Sequence, residues 1–290
     1  MHLTTYLNDI VVWAPAKVNL FLEVLGKRPD GYHDIATLMV AIRLYDTVIL
    51  RKTDDLTLTC SDQSLTVGPD NLVLRAAKLL QERTGCRLGA SIRLIKRIPM
   101  AAGLAGGSTD AAATLAGLNQ LWGLKLSNAE LASMAGEIGS DIPFFFHTPA
   151  AWCTGRGEIV APAKLPIPLD FVLLCPSFGI STPAVYKQIT LPAQPIMGEA
   201  IRAAVSKGDV DSIAKLLHNQ LEDAAAIVEP RIGDFAKMLA DTKPAGSLMS
   251  GSGSTLFALC RSREDATCIA AELAPQMKAH KFRVIITRTE

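Results

Sequence analysis

The sequence lacks the cysteine and histidine spacings that build zinc sites and disulfide frameworks. Its six cysteines are widely separated, with no Cys-x-x-Cys pair, and its five histidines include no His-Glu-x-x-His. This usage fits free, mostly buried thiols in a reducing compartment better than a disulfide or zinc framework. The first ten residues also lack the charged-then-apolar layout of a secretory signal. We therefore expect a cytoplasmic protein.

An excess of one charge and long apolar runs are also missing. The 290 residues include 29 Lys+Arg and 28 Asp+Glu, a formal net charge of +1. Proteins that bind duplex nucleic acid usually carry a basic surplus or stripe, so we expect no nucleic-acid partner, although a local cluster can still bind a small anion. Apolar stretches such as residues 171–175 are too short to span a membrane, which takes roughly 20 residues. Hydrophobic residues make up 49% of the chain, which excludes intrinsic disorder.

Hydrophobic periodicity alternates between strand and helix spacing along the chain. Strands are predicted over residues 11–13, 18–25, 48–50, 56–60, 171–175, 255–260 and 282–287, and from residue 91 to near Pro99. Helices are predicted over residues 70–83, from about Ser108, after a capping box at Ser127 and Glu130, and over 201–222, 230–241 and 264–277. In the second half, this alternation favours an α+β arrangement over a doubly wound sheet.

Three prolines within residues 162–168 mark a change in composition. Proline clusters of this kind often separate domains, although a proline-rich loop inside one domain has the same composition. We therefore expect two domains, covering residues 1–165 and 166–290.

The strongest local signal is the run of small residues from Pro99 to Thr109, which follows a strand and leads into a helix. Small residues let the backbone approach an anion, and the N–H groups of the loop and the helix start supply positive partial charge. The hydroxyls of Ser108 and Thr109 could cap the helix or contact phosphate or Mg²⁺. The run matches neither a Walker A loop nor Gly-x-Gly-x-x-Gly. A tight turn that needs glycine only for packing is the alternative.

Polar residues interrupt two apolar segments. Lys17 and Asn19 lie two apart in an apolar strand, so both side chains point to one face. An inward lysine costs free energy unless it is paired, whereas a solvent-facing lysine costs nothing, and both placements stay open.

Asp141 precedes the apolar run 142–146. It is either an N-cap residue or a partly desolvated carboxylate that accepts a proton from a substrate hydroxyl.

Two further loops carry groups that could bind a ligand. Residues 28–33 form a turn with an aromatic ring at Tyr32 and an imidazole at His33, and a plain turn has the same composition. Residues 246–254 are rich in glycine and serine and lead into a strand. They are either a flexible surface turn or a second anion-binding loop.

Taken in this order, the motifs resemble those of one kinase superfamily. The lysine strand 15–20, the Pro-x-x-x-Gly-Leu-x-Gly-Gly-Ser loop 99–108 and the late Gly-Ser-Gly loop 251–253 are similar to the three motifs of the galactokinase, homoserine kinase, mevalonate kinase and phosphomevalonate kinase superfamily. The strand and the Tyr-His turn together resemble the branch that phosphorylates methylerythritol linked to cytidine diphosphate. The resemblance extends over about residues 10–287, and in the second half it also rests on residues 181–186.

The resemblance implies a fold and a reaction. The first half would be like the second domain of ribosomal protein S5 and the second half ferredoxin-like, with the active site in the cleft between them. The reaction would be ATP-dependent phosphorylation of the 2-hydroxyl of the cytidine diphosphate-linked methylerythritol. It would give the 2-phosphate and ADP in the non-mevalonate route to isoprenoids. The partners would be this small molecule, ATP and Mg²⁺, with no membrane partner and the protein a monomer or homodimer.

The same resemblance implies roles for individual residues. Lys17 and Asp141 would be the catalytic pair, with Lys17 keeping Asp141 ionised. Ser108 would be the protein contact of Mg²⁺. The residues at positions that bind the cytidine diphosphate substrate are Asn19, Tyr32, His33 and Tyr186. Asn71 and Lys96 would lie near the adenine of ATP. The residues that would hold its phosphates are Pro99, Met100, Ala101, Ala102, Gly103, Leu104, Ala105, Gly106, Gly107, Ser108 and Thr109.

The sequence departs from the family pattern in the small-residue loop and at one aromatic position. Ala101, Ala102 and Ala105 stand where many relatives have glycine. Because alanine permits close approach of the backbone to an anion at negative φ, we expect only the detailed loop shape to differ. Tyr186 stands where some relatives have phenylalanine, and either ring can stack on a base.

Two other functions stay open at this point. One is a related kinase for another small alcohol, of the homoserine or mevalonate type. Tyr32 and His33 argue against it, because a short hydroxy acid has no base to bind. The other is a nucleotide-binding module without turnover. The presence of both Lys17 and Asp141 argues against this second function, because binding alone needs neither a proton acceptor nor its cationic partner.

Overall fold

The computed structural model describes residues 1–191 and 194–290. Its strands are β1 (His2–Tyr6), β2 (Asp9–Lys27), β3 (His33–Thr53), β4 (Leu56–Cys60), β5 (Gly89–Ile95), β6 (Ala150–Thr154), β7 (Ile159–Pro162), β8 (Asp170–Pro176), β9 (His218–Asn219), β10 (Gly246–Met249), β11 (Leu256–Cys260) and β12 (Phe282–Arg288). Its α-helices are α1 (Leu72–Thr84), α2 (Gly106–Leu121), α3 (Asn128–Ile138), α4 (Thr182–Tyr186), α5 (Glu199–Lys207), α6 (Val210–Lys215), α7 (Leu221–Val228), α8 (Arg231–Asp241), α9 (Arg263–Leu273) and α10 (Met277–His280).

The chain folds into two compact units, and neither is one continuous stretch of sequence. Unit 1 contains Met1–Ala16, Leu44–Ile98 and Ala105–Thr148, and unit 2 contains Lys17–Arg43, Pro99–Leu104 and Pro149–Glu290. The long strands β2 and β3 therefore contribute residues to both units. The small-residue loop is also divided, because Leu104 belongs to unit 2 and Ala105 to unit 1. The division into domains 1–165 and 166–290 stays a prediction.

Unit 1 is built of strands with helices α1, α2 and α3, which contact one another. Strand β1 pairs antiparallel with the start of β2, and β5 pairs antiparallel with the end of β3 and parallel with β4. Helix α2 approaches the strands closely at Gly117. A Cβ atom there would lie 2.2 Å from Leu50 Cδ1 and 3.0 Å from Val12 Cγ2, both on fully buried side chains. The absence of a side chain at Gly117 is what permits this approach.

Local sequence signals set the helix ends in unit 1. Helix α1 begins after Asn71, whose side-chain oxygen accepts the Val73 N–H, and it ends at Gly85, which has φ 69°. Helix α3 begins with the capping box formed by Ser127 and Glu130. The predicted stop at Gly85 and the predicted capping box are both confirmed.

Unit 2 contains strand pairs along β2 and β3 and a separate antiparallel sheet. Strand β6 pairs antiparallel with β3 and β7, while β9 pairs parallel with β2 at Phe21 and His218. The second sheet has the order β10-β11-β8-β12, and every residue of its inner strand β8 is buried. Helices α8 and α9 pack on this sheet. The α+β class predicted from the sequence is confirmed.

Two helix predictions in the second half are wrong. The pattern over 201–222 is broken into α5, α6, β9 and α7, because Gly208 ends α5 at φ 71° and the Asp209 side chain starts α6 by accepting the Ser212 N–H. The helix predicted over 264–277 ends at Leu273. Pro275, which has no N–H to donate, lies in a 3₁₀ turn over Ala274–Gln276. The strands predicted over 11–13 and 18–25 are one continuous strand, β2.

All six cysteines lie in the described ranges and are free thiols. Among residues 1–191 and 194–290, no helix combines the length and the apolarity needed to cross a bilayer.

We expect Gly117→Ala and Gly233→Ala to change stability in opposite directions. The new methyl group at 117 meets buried Leu50 and Val12, so the free energy of unfolding should fall by about 1–3 kcal/mol. At Gly233, in α8, a Cβ atom meets nothing within 4 Å. The higher helix propensity of alanine should therefore raise the free energy of unfolding by about 0.5–1 kcal/mol.

Urea denaturation followed by circular dichroism measures both changes. An equal effect of the two substitutions would contradict the close approach of α2 to the strands.

Candidate active site

Lys17 lies at the start of a buried hydrogen-bonded chain in unit 2. Strand geometry places Lys17 and Asn19 on one face of β2, and they are only 3% and 2% exposed. The Lys17 ammonium donates to Asn19 Oδ1 at 2.6 Å, Asn19 Nδ2 donates to Thr37 Oγ1 at 2.8 Å, and that hydroxyl donates to the Phe21 carbonyl at 2.6 Å. The solvent-facing alternative for Lys17 is therefore wrong. Each link fixes the next, so the position of the ammonium is set by the strands.

Two loops of unit 2, here named loop A (Pro99–Leu104) and loop B (Met249–Thr255), interlock next to this chain. The Lys17 N–H donates to the Leu104 carbonyl at 3.2 Å. The Ser250 hydroxyl donates to the Gly103 carbonyl at 3.0 Å, and the Thr255 N–H donates to the Ala102 carbonyl at 3.2 Å. These bonds hold loop B against loop A.

Glycine is required where the two loops meet. Gly103 has φ 73°, and a Cβ atom there would lie 1.9 Å from the Ser250 carbonyl oxygen. Gly251 has φ 55°, and its Cβ would lie 3.2 Å from Lys17 Nζ and 3.4 Å from Asn19 Oδ1. Loop B is therefore packed beside the lysine, and its residue Ser250 is fully buried. The alternative of a flexible surface turn is wrong for loop B.

Two of the three alanines of the small-residue loop do not take the negative φ expected from the sequence. Ala101 has φ 48° and Ala105 has φ 55°, the left-handed region that glycine occupies more readily. The methyl group of Ala101 has room because residue 179 is glycine: a Cβ atom on Gly179 would lie 2.7 Å from Ala101 Cβ.

In unit 1, the loop continues into the start of helix α2. The helix begins at Gly106, two residues before the predicted start, and its N-cap residue Ala105 supplies no side-chain cap. Neither Ser108 nor Thr109 caps the helix. The first N–H groups of a helix have no partner within it and carry positive partial charge. This helix start can therefore interact favourably with an anion.

Lys96 lies beneath this helix start in a buried ion cluster within unit 1. Its ammonium pairs with Asp46 Oδ2 and, at 2.7 Å, with Asp110 Oδ2. Burial raises the pKa of Asp110 to about 7, against the effect of the Lys96 charge. Burial by itself would lower the pKa of Lys96, but the carboxylates of Asp110 and Asp46 outweigh burial and raise it. Lys96 therefore keeps its charge.

The ion cluster also fixes the backbone that leads into loop A. Asp46 Oδ1 accepts the N–H groups of Arg97 and, at 2.9 Å, Ile98. A Cβ atom on Gly106 would lie 3.2 Å from Lys96 Nζ. Sequence reasoning missed Asp46 and Asp110. Asp110 stands beside the buried alanines of α2, and a carboxylate on an apolar helix face was the available signal.

The polar groups of Asn71 and the position of Asp141 are set locally in unit 1. Asn71 uses its carbonyl to cap α1 and donates Nδ2 to the Thr66 carbonyl at 2.8 Å. The 3₁₀ turn Pro143–Phe146 has Ile142 as its N-cap residue, so the N-cap alternative for Asp141 is wrong. The adenine contacts of Asn71 and Lys96 and the pairing of Asp141 with Lys17, which belongs to unit 2, stay predictions.

Unit 2 brings together the aromatic residues predicted to bind the substrate base. The rings of His33 and Tyr186 have centroids 4.9 Å apart and an interplanar angle of 34°. Tyr32 is 53% exposed, and the Arg156 guanidinium stands 4.9 Å from its ring centroid. Sequence reasoning missed Arg156, because nothing in the sequence pattern relates it to a turn more than 120 residues earlier. We call Tyr32, His33, Arg156 and Tyr186 the aromatic cluster. Its rings and its guanidinium cation are a combination suited to a ligand with a base and phosphates.

Two family models match the chain. The model described as "GHMP kinases N terminal domain" matches residues 71–148, and "GHMP kinases C terminal" matches residues 200–279.

Curated relatives match over nearly the whole chain. A 4-diphosphocytidyl-2-C-methyl-D-erythritol kinase of Pelotomaculum thermopropionicum is 40% identical over 284 residues, 97% of this chain and 98% of the relative. One of Shouchella clausii is 43% identical over 249 residues, 85% and 84% of the two chains.

Solved structures agree with these matches. A crystal structure of 4-(cytidine 5'-diphospho)-2C-methyl-D-erythritol kinase superposes with a TM-score of 0.79 at 34% identity, covering 97% of this chain and 99% of the other. A homoserine kinase from Cytophaga hutchinsonii superposes with a TM-score of 0.76 at 20% identity, over 100% and 97% of the two chains, and shares the fold. The chain therefore belongs to the GHMP kinase family and, within it, to the 4-diphosphocytidyl-2-C-methyl-D-erythritol kinases.

Proposed function

We propose that this chain transfers the γ-phosphoryl group of ATP to the 2-hydroxyl of 4-diphosphocytidyl-2-C-methyl-D-erythritol, giving the 2-phosphate and ADP in the non-mevalonate route to isoprenoids. The observation that carries the proposal is the buried Lys17 ammonium, held by Asn19 and approached by loop B. Phosphoryl transfer depends on positioning and charge stabilisation more than on covalent chemistry. A cation fixed in this way suits that requirement. Relatives at 40% identity carry this activity in their names.

Backbone N–H groups would bind the phosphates of ATP. Loop A and the first turn of α2, residues 99–109, provide small side chains and a helix N-terminus. Both features favour phosphate, because the backbone can come close and the N–H groups carry positive partial charge. The buried Lys96 cluster holds the start of α2 in place from below, which keeps these groups oriented before ATP arrives.

The residues of the helix start fit a magnesium ion that is shared with ATP. Within residues 1–191 and 194–290, no group of three or more His, Cys, Asp or Glu side chains could hold a metal ion. Mg²⁺ does not need such a group, because it usually takes one or two protein oxygens together with phosphate oxygens and water. Ser108, half-buried in the first turn of α2, would hold it. When bound, Mg²⁺ neutralises charge on the β- and γ-phosphates.

Lys17 and Asp141 would act on the reacting hydroxyl. Asp141 would accept its proton or orient it for attack. The Lys17 ammonium would keep the Asp141 carboxylate ionised, since an opposite charge within about 4–6 Å favours the charged form. Lys17 would also stabilise negative charge on the transferring phosphoryl group.

The aromatic cluster would bind the cytosine. Tyr32 and Tyr186 offer ring faces, His33 offers hydrogen-bonding nitrogens, and Arg156 adds a cation. Asn19, whose amide binds Lys17 and Thr37, would contribute to substrate binding from the strand β2. Binding energy far from the reacting hydroxyl can be used to orient that hydroxyl. A kinase for homoserine or mevalonate has no base to bind, so this cluster favours the cytidylated alcohol. We propose a small-molecule enzyme of the cytoplasm that needs neither nucleic acid nor a membrane.

The deciding experiment is an ADP-release assay with ATP and Mg²⁺ on four alcohols. These are 4-diphosphocytidyl-2-C-methyl-D-erythritol, homoserine, mevalonate and galactose. Turnover of the cytidylated alcohol alone is the expected result. Turnover of another alcohol would contradict the substrate, and binding of ATP without turnover of any would contradict the kinase activity.

We expect Asp141→Asn and Lys17→Ala each to lower kcat by at least about 100-fold, because each removes one half of the proposed proton-accepting pair. The same assay measures this loss, with circular dichroism to confirm the fold. Asp211→Asn is the matched control, since Asp211 pairs with Arg261 at an exposed position. Near-normal turnover in a folded Asp141→Asn protein would remove the role proposed for Asp141.

We expect Arg156→Ala to raise the KM for the cytidylated substrate about threefold to tenfold, because the Tyr32 ring loses the cation that stands over it. The KM for ATP should not change. Arg202→Ala is the matched control, because Arg202 stands 5.1 Å from the Trp152 ring in the same unit. Equal KM values for wild type and Arg156→Ala would exclude Arg156 from substrate binding.

Lys96→Met separates the structural role of Lys96 from its proposed adenine contact. The substitution leaves Asp46 and Asp110 buried without their cation, so we expect the free energy of unfolding to fall by about 3–5 kcal/mol. Urea denaturation measures this change, and the matched control is the exposed lysine variant Lys237→Met. Unchanged stability with a raised KM for ATP would instead favour the adenine contact alone.

A further inference from the structure

The short segment 218–222 connects several parts of unit 2, although the sequence pattern placed it inside a helix. Its first two residues form β9, which pairs parallel with β2. Gln220 accepts the Val24 N–H at 2.7 Å and donates to the Thr190 carbonyl at 3.1 Å. Glu222 accepts the Met249 N–H at 2.7 Å. The segment therefore contacts both the strand that carries Lys17 and the start of loop B.

Asn219 makes the closest connection to loop B. It is 6% exposed, and its Nδ2 donates to the Met249 carbonyl at 2.7 Å and to the Gly251 carbonyl at 2.8 Å. Its Oδ1 accepts the Leu221 N–H at 3.0 Å. Both side-chain N–H groups and the carbonyl oxygen are thus used, which fixes the amide orientation without ambiguity.

Two carbonyls held by one amide determine the conformation of the loop between them. In a planar trans peptide, the N–H points away from the carbonyl. The Ser250 N–H follows this rule and donates to the Thr255 carbonyl at 2.9 Å. By the same rule, the Ser252 N–H points away from Asn219. Asn219 therefore sets the direction of two peptide groups of loop B, the one between Met249 and Ser250 and the one between Gly251 and Ser252.

The peptide groups set by Asn219 lie beside the buried lysine. Gly251 is the residue of loop B whose Cβ position is 3.2 Å from Lys17 Nζ and 3.2 Å from the Gly103 carbonyl oxygen. A rotation of the peptide groups at Gly251 would therefore change the immediate surroundings of the ammonium. It would also disturb loop A, to which Ser250 is hydrogen bonded.

We propose that Asn219 is a positioning residue for phosphoryl transfer, which sets the conformation of loop B beside Lys17 by binding the carbonyls of Met249 and Gly251. The inference rests on the proposed function. Asn219 does not touch the reacting atoms; it acts through loop B. Its loss should therefore affect turnover by the bound complex more than the binding of either substrate.

Asn219→Asp is the most direct test, because the side chain keeps its size. It also keeps the oxygen that accepts the Leu221 N–H, but both N–H donors are replaced by an oxygen that faces two carbonyl oxygens. We expect kcat to fall by at least about tenfold, since small displacements of positioning groups cost this much or more. The KM values for ATP and for the cytidylated alcohol should change less than about threefold. Both are measured by ADP release from the full-length protein.

Gln220→Glu is the matched control, an amide-to-acid change at the next residue. It keeps the acceptor for the Val24 N–H and loses only the bond to Thr190, so kcat should stay within about twofold of wild type. Leu239→Ala controls for stability, because it removes buried apolar volume from α8 in the same unit. If Asn219→Asp does not fold, Asn219→Ser replaces it, with one donor in a smaller side chain and the same expected loss of kcat.

The outcomes separate this inference from the proposed function. A loss of kcat in the Asn219 variant, with both controls active per folded molecule, supports the positioning role. If the wild type turns over the cytidylated alcohol and a folded Asn219 variant has the same kcat, this inference is overturned and the proposed function is not. The inference is also overturned if the Asn219 variant loses as much stability as Leu239→Ala but keeps the wild-type kcat per folded molecule. A wild type that turns over no cytidylated alcohol overturns the proposed function, and the inference with it.

Discussion

The buried ammonium of Lys17 is the constraint on which much of unit 2 depends. A lysine withdrawn from water needs compensating interactions, and the hydrogen bond to Asn19 Oδ1 is one of them. Glycine occurs where loop B comes closest to the ammonium, because a Cβ atom at Gly251 would lie 3.2 Å from Lys17 Nζ, and Asn219 holds the same part of the loop by its carbonyls. The lysine, Asn19 and the two interlocked loops therefore form one continuous polar region of the unit.

Unit 1 also contains a buried lysine. Its buried cation, Lys96, is balanced by the carboxylates of Asp46 and Asp110. The cluster stabilises the turn before loop A and the first turn of α2 at the same time. An anion at the helix start would interact with backbone N–H groups whose positions are already fixed. Preorganisation of this kind lowers the reorganisation required when charge moves during a reaction.

The helix ends of unit 1 and the burial of Lys17 and of loop B show how far short-range patterns could predict the fold and the proposed site. The end of α1 at Gly85 and the capping box at Ser127 depend on residues within one helical turn, and both were predicted correctly. The segment 201–222 was predicted wrongly as one helix, because its apolar spacing suits a helix. In the structure, Gly208 ends α5 and the pairing of β9 with β2 interrupts the segment again. Arg156 and Asn219 were missed because their partners are distant in sequence. Local patterns carry no information about such contacts.

The conformation of Ala101 has a consequence for how this loop can evolve. Its methyl group fits because Gly179 has no side chain, so the two positions share one small volume. Methyl groups at both positions would overlap, and a methyl group at 179 would also lie 3.1 Å from the Ala101 carbonyl oxygen. Once alanine is established at 101, residue 179 is restricted to glycine. A side chain at 179 therefore requires a change in the conformation of loop A as well as the loss of the methyl group at 101.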